Sequence, residues 1–125
     1  LTSPSGVNAI LAHEMIQGPF RVGKYGVDVQ GFEAFLAAIP FHDSPDDSPV
    51  VIDEIGKMEC FSKTFTELVM EQLSSERPVI ATVALKGPGL IGSVKKRSDS
   101  VLIEVTRENR NHLARDILNR ALLRD

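Results

Sequence analysis

The sequence predicts an α/β fold on a mostly parallel sheet, and three observations predict it. The segment PVIATVAL, residues 78–85, is apolar at nearly every position, as in a strand covered on both faces. Two further apolar runs, residues 50–52 and 100–105, stand before and after it. Around these runs lie segments whose apolar residues recur every three or four positions, the spacing of helices with one buried face. Strand and helix alternate, which is the pattern of a parallel sheet with helices on both faces. A length of 125 residues without internal repeats makes residues 1–125 one domain with room for a real core.

Residues 8–16 have a helical look, set among Pro4, Gly6 and Gly18. Residues 20–29 alternate apolar and polar around Gly23 and Gly26, a weak extended signal. After Val29, the residues Phe32, Phe35, Leu36 and Ile39 share a helical face, and Pro40 stops it. Residues 41–49, FHDSPDDSP, are a loop by composition. Its acids Asp43, Asp46 and Asp47 can be read as a cation site, although a solvated loop is the commoner meaning of such a stretch. Residues 50–52 form a buried strand. Ser62 is a good helix N-cap, followed by Phe65, Leu68, Val69, Gln72 and Leu73 on one face and Pro78 beyond the end. After the strand at 78–85, a loop carrying Gly87, Pro88, Gly89 and Gly92 runs into the basic trio Lys95, Lys96 and Arg97. Residues 100–105 make a third strand. Thr106 caps a last helix with the stripe Leu113, Ile117, Leu118, Ala121 and Leu122.

The composition is ordinary for a globular protein, with 42% hydrophobic and 25% charged residues. A formal net charge of −3 argues against a general nucleic-acid surface, which needs a basic excess. The lone cysteine, Cys60, permits no internal disulfide and fits a reducing compartment. His13, His42 and His112 match no metal-ligand spacing. No apolar run reaches the length of a membrane span, and no signal peptide is visible, so a cytoplasmic location is the default expectation. The chain starts Leu1-Thr2-Ser3 without an initiator methionine, as a fragment would.

The chemistry gathers in VVIDEIGKME, residues 50–59. In a parallel sheet, ligands bind at the carboxyl ends of the strands, and Asp53 and Glu54 stand at such an end. A carboxylate there can hold Mg²⁺, often through water, because Mg²⁺ keeps much of its hydration shell. A second carboxylate beside it can polarise or deprotonate a water that attacks phosphorus. By themselves these acids are more often a solvated strand end.

A phosphate loop, GxxxxGK[ST], is the usual companion of such a pair, and two decoys resemble it. Gly18 and Gly23-Lys24 have the right offset, but Tyr25 stands where the hydroxyl residue belongs and Pro19 removes an N–H. At Gly56-Lys57, Val51 occupies the first glycine position and Met58 follows the lysine. Neither is a working phosphate loop.

Four long segments decide the resemblance: residues 21–40 (RVGKYGVDVQGFEAFLAAIP), 51–65 (VIDEIGKMECFSKTF), 81–87 (ATVALKG) and 105–118 (VTRENRNHLARDIL). In this order they resemble the cancer-related nucleoside-triphosphatase family, small proteins related to nucleotide kinases, over essentially the whole chain. The resemblance implies a P-loop NTPase-type three-layer sandwich with an extra strand between the Walker A and Walker B strands. It also implies hydrolysis of ATP, GTP and other nucleoside triphosphates to diphosphate and phosphate, with Mg²⁺ as cofactor. Asp53 then corresponds to the magnesium-linked Walker B aspartate and Glu54 to the catalytic glutamate. Gly56 and Lys57 fall in the nucleotide-contacting turn, although Lys57 is equally readable as a surface lysine. Thr82 matches a position that senses the γ-phosphate, or is simply packed in its strand. Asn109 and Arg110 resemble the late motif beside the nucleotide, with an ordinary helix cap as the plainer reading of Asn109. The trio Lys95, Lys96 and Arg97 could supply transition-state charge, but more often such a run is a solvated loop.

The departure from the family is large. Its members begin with a strand, the phosphate loop, a helix and a second strand, and this sequence starts after them. A truncation and a degenerate descendant both explain that. Residues 1–125 alone are therefore expected neither to hydrolyse triphosphates nor to bind them tightly. The strands at 78–85 and 100–105 would each expose an unpaired edge, which invites self-association. The alternatives are a nucleotide or nucleoside kinase, and a non-catalytic module whose Phe32, Phe35, Phe61 and Phe65 surface serves a partner or a second copy.

Overall fold

The computed structural model describes residue 1, residues 9–39 and residues 49–122. Two compact units are distinguished, Leu1–Val94 and Lys95–Asp125. The first opens with three short strands, β1 (Ala12–His13), β2 (Arg21–Val22) and β3 (Tyr25–Val27), in an antiparallel sheet of order β1-β3-β2. The extended signal at 20–29 is thus a hairpin. Gly23 turns it at φ +58°, a left-handed value that suits glycine. The helix expected at 8–16 is not formed over residues 9–16. Ala12 and His13 pair instead with Val27 and Gly26, and the Asp28 amide donates to Leu11 O at 2.8 Å. A two-residue strand is defined by its distant partner, so nothing local announces it.

Helix α1 (Val29–Ala37) follows as the periodicity predicts. Asp28 caps it, its Oδ1 accepting the Gly31 N–H at 2.9 Å, and Phe32 and Leu36 are buried. Residues 40–48 lie outside the described residues, and with them Pro40, His42, Asp43, Asp46 and Asp47. Strand β4 (Val50–Ile55) then pairs in parallel with β5 (Val79–Val83) through the connecting helix α2 (Lys63–Ser74). Ser62 begins α2 as its sequence position predicts. Its Oγ accepts the Phe65 N–H at 3.0 Å and donates to Glu33 Oε1 at 2.8 Å, tying α2 to α1.

The core is built by Phe32, Leu36, Ile55, Phe65, Val69, Leu90, Ile91 and Val94. Phe32 and Phe65 meet with ring centroids 5.4 Å apart. Both are buried, and Phe35 and Phe61 are half-buried. The expectation of two fully covered sheet faces also needs correction. Val51 is 69% exposed and Thr82 is exposed, so apolar character in β4 outruns its burial. The stretch read as a glycine loop contains helix α3 (Leu90–Lys95), whose Leu90, Ile91 and Val94 are buried. Gly89, at φ +63°, directly precedes it.

In the second unit, residues 101–105 form no strand, contrary to expectation. Val101, Leu102 and Val105 are more than 60% exposed and join no ladder among the described residues. Apolarity supplies a face, but a strand also needs a hydrogen-bonding neighbour. Thr106 caps a turn rather than the last helix itself. Its Oγ accepts the Asn109 N–H at 3.2 Å, and α4 begins later, as Leu113–Leu122. No helix among the described residues is long and apolar enough to cross a membrane.

Candidate functional site

Strands β4 and β5 run side by side from Val50 opposite Val79 to Ile52 opposite Ala81, and again at Ile55 opposite Val83. Between the last two pairs β4 spends three steps where β5 spends two. The extra residue is a bulge at Asp53 and Glu54, and a bulge re-aims side chains that regular pleating would send to opposite faces. Both acids are exposed, while Ile55 behind them is 1% exposed and anchors the strand end. Thr82, the residue of β5 opposite the bulge, donates its hydroxyl to Asp53 Oδ1 at 2.6 Å. Thr82 is therefore not a strand residue packed in the core.

Beyond the bulge the chain turns tightly. The Cys60 N–H donates to Gly56 O at 3.1 Å, and a short 3₁₀ turn follows at Glu59–Phe61. Glu59 folds back so that its Oε2 accepts the Gly56 N–H at 3.1 Å. Burial raises the pKa of the Glu59 carboxyl, and the charges of Glu54 and Asp53 push in the same direction. The thiol of Cys60 is raised as well, chiefly by burial and then by Glu59, which makes it a poor nucleophile. A shallow depression of about 260 Å³ is lined by Val22, Glu54, Gly56, Lys57, Met58, Glu59 and Ala84. Lys57 is exposed at its rim. A larger depression of about 370 Å³ lies between Gly18, Phe20 and Asp28 and contains none of these acids. Its size is no argument for function, because Asp28 and Glu33 there are already committed to helix starts.

The sequence-derived set divides between the units. Asp53, Glu54, Gly56, Lys57 and Thr82 lie together in the first unit. Asn109 and Arg110 belong to the second. There the Asn109 side chain accepts the Thr106 N–H at 2.8 Å and donates to Glu104 O at 2.8 Å, so it fastens its own turn. Arg110 is exposed. Of the basic trio, Arg97 grips Asp99 through two hydrogen bonds of 2.9 and 2.8 Å. The Gly18–Lys24 decoy is part of the hairpin, with Lys24 Nζ paired to Glu14 at 2.8 Å.

Glu59 stands inside the VVIDEIGKME stretch, but the sequence reading assigns it no role. The signal was present, an acid three residues after a glycine that directly follows a strand, but only the turn gives it meaning. A divalent cation is chemically compatible with the Asp53–Thr82 corner, where all nearby donors are hard oxygens. Among the described residues no group of three or more His, Cys, Asp or Glu gathers around one point, so protein ligands alone would not enclose an ion.

The family model for NTPases matches residues 1–118 of the chain. The chain belongs to this NTPase family. Among its relatives, the nucleoside-triphosphatase THEP1 of Thermotoga maritima is 35% identical over 91% of this chain and 66% of its own length. The human cancer-related nucleoside-triphosphatase is 39% identical over 78% of this chain and 56% of its own length. The crystal structure of THEP1 from Aquifex aeolicus superposes with a TM-score of 0.87 at 34% identity, covering 99% of this chain and 75% of that one. The fold is accordingly the α/β, P-loop NTPase type. The chain spans about two thirds or less of the length of these curated relatives.

Proposed function

We propose that this chain carries the hydrolytic corner of a nucleoside-triphosphatase, in which Glu54 activates water and Asp53 holds a magnesium ion. The observation that carries the reading is the bulge, which exposes both acids side by side at the carboxyl end of a parallel strand. The names of the relatives, which are nucleoside-triphosphatases, support the reaction class.

In this reading Glu54 accepts a proton from water as its oxygen bonds to the γ-phosphorus. The bond to the β–γ bridging oxygen breaks, and the nucleoside diphosphate leaves with that electron pair. Thr82 orients the Asp53 carboxylate by donating to Oδ1, which leaves Oδ2 for the ion or one of its waters. Bound magnesium would neutralise charge on the β- and γ-phosphate oxygens. In this reading Lys57, exposed in the lining of the depression, meets phosphate charge. The phosphate cradle is, in this reading, supplied from outside these 125 residues, which contain no GxxxxGK[ST] segment.

The test uses the product of the complete reading frame that contains these residues. Glu54→Gln should lower phosphate release from Mg·ATP and Mg·GTP by about 10²–10⁴-fold while nucleotide binding persists. Asp53→Asn should instead raise the magnesium concentration needed for half-maximal rate. A Glu54→Gln enzyme as fast as the parent refutes the role given to Glu54.

A further inference from the structure

We propose that Glu59 is a positioning residue for Glu54, acting through Gly56, against which both carboxylates rest. The inference rests on the triphosphatase reading above and deepens it. Three observations carry it.

The first is the fate of the Gly56 N–H. The ladder between β4 and β5 extends one step past β5, where the Ala84 N–H donates to Ile55 O at 3.0 Å. Gly56 itself is buried, and the acceptor its amide finds is Glu59 Oε2. A carboxylate on an amide is a charge-assisted bond, stronger than a neutral one. It fastens the chain two residues after Glu54.

The second is the absence of a side chain at 56. A Cβ placed on Gly56 would lie 2.7 Å from Glu59 Oε2 and 3.1 Å from Glu54 Oε1. Both carboxylates therefore rest against the bare side of the same glycine. With Glu59 held by the amide, Glu54 is limited in where it can swing. Glycine is needed here for close approach rather than for its backbone angles.

The third is what holds Glu59. Its own backbone is fixed by the 3₁₀ turn, where the Ser62 N–H donates to Glu59 O at 3.0 Å, and Ser62 is fully buried at the start of α2. Phe61, in the same turn, packs on Phe20 with centroids 5.3 Å apart. The carboxylate that flanks Glu54 thus stands on a rigid support, as a group that positions another must.

The experiment compares Glu59→Ala, Glu59→Gln and Gly56→Ala in the product of the complete reading frame, reading kcat and KM for Mg·ATP and the hydrogen exchange of the Gly56 amide. Glu59→Ala should lower kcat roughly 10- to 100-fold, the scale of a displaced catalytic group. KM should stay within about 3-fold, since substrate contacts are untouched. The Gly56 amide should lose protection. Glu59→Gln keeps an oxygen acceptor and should restore both kcat and protection. Gly56→Ala should lower kcat with Glu59 intact, and it serves as the second probe if Glu59→Ala fails to fold. An active parent in which Glu59→Ala or Gly56→Ala leaves kcat unchanged overturns this inference alone. So does a Glu59→Gln enzyme as impaired as Glu59→Ala. A parent without turnover refutes the triphosphatase reading, and this inference with it.

Discussion

Replacing Ser62 by alanine removes one oxygen that does two things. Ser62 is 0% exposed, caps α2 through the Phe65 N–H and reaches across to Glu33 on α1. Loss of an N-cap costs about 0.5–2 kcal/mol, and a buried amide left without an acceptor belongs at the upper end. The Phe65 amide is in that position, because its residue is 5% exposed and water cannot replace the hydroxyl. A loss of about 1.5 kcal/mol should follow, or roughly 5–7 °C in Tm for a chain of this size. Urea denaturation followed by far-UV circular dichroism measures it, with an unchanged m-value. The acid limb adds a signature. The Ser62 hydroxyl is the first cause of the lowered Glu33 pKa, followed, in opposition, by desolvation. A depressed carboxylate stabilises above its unfolded pKa, near 4.5, and that stability is lost as pH falls through the folded value. Ser62→Ala should flatten this part of the pH profile. A variant within about 0.3 kcal/mol of the parent at neutral pH, with the acid limb unchanged, would refute the account of the cap.

Two smaller predictions read other contacts. Thr82→Val removes the donor to Asp53 Oδ1 from an exposed site, so stability should hold within about 0.5 kcal/mol. In the active enzyme the magnesium requirement should rise about 10-fold, as it does when the group orienting a metal ligand is lost, and a magnesium titration of phosphate release checks this. His112 Nδ1 lies 2.8 Å from Asp116 Oδ2, and that hydrogen bond is the main cause of its raised pKa. A raised histidine stabilises fully below the unfolded value, 6.5, and the gain fades as pH climbs through the higher folded pKa. NMR titration should place His112 above 6.5, and Asp116→Asn should bring it back; an unshifted ring would contradict the pair.

What could be read from the sequence was whatever depended on neighbours along the chain. Ser62 is a cap because of the three residues after it, and α1 declares itself by the spacing of Phe32, Leu36 and their neighbours. The parallel pairing of β4 with β5 followed from two apolar runs with a helix between them. The misreadings share the opposite property. Whether residues 101–105 form a strand depends on a partner, and β1 exists only because β3 lies beside it. Gly87, Pro88 and Gly89 signal a loop strongly enough to mask the helical spacing of Leu90, Ile91 and Val94 behind them.

The candidate site divides along the same line. Asp53 and Glu54 were legible because a strand end in a parallel sheet is a functional place before any fold is known. Their simultaneous exposure was not legible, since alternation along a strand would turn one of the two away. The bulge removes that difficulty, and a bulge is a relation between two strands. Glu59 is the stricter case. Read along the chain, it closes the VVIDEIGKME stretch, and nothing in that pattern assigns it a role. It becomes informative only when the turn returns it to Gly56, where its carboxylate and that of Glu54 meet across a missing side chain. The glycine, legible as part of a motif but not for a reason, acquires one. A methyl group there would have to displace one of the two acids.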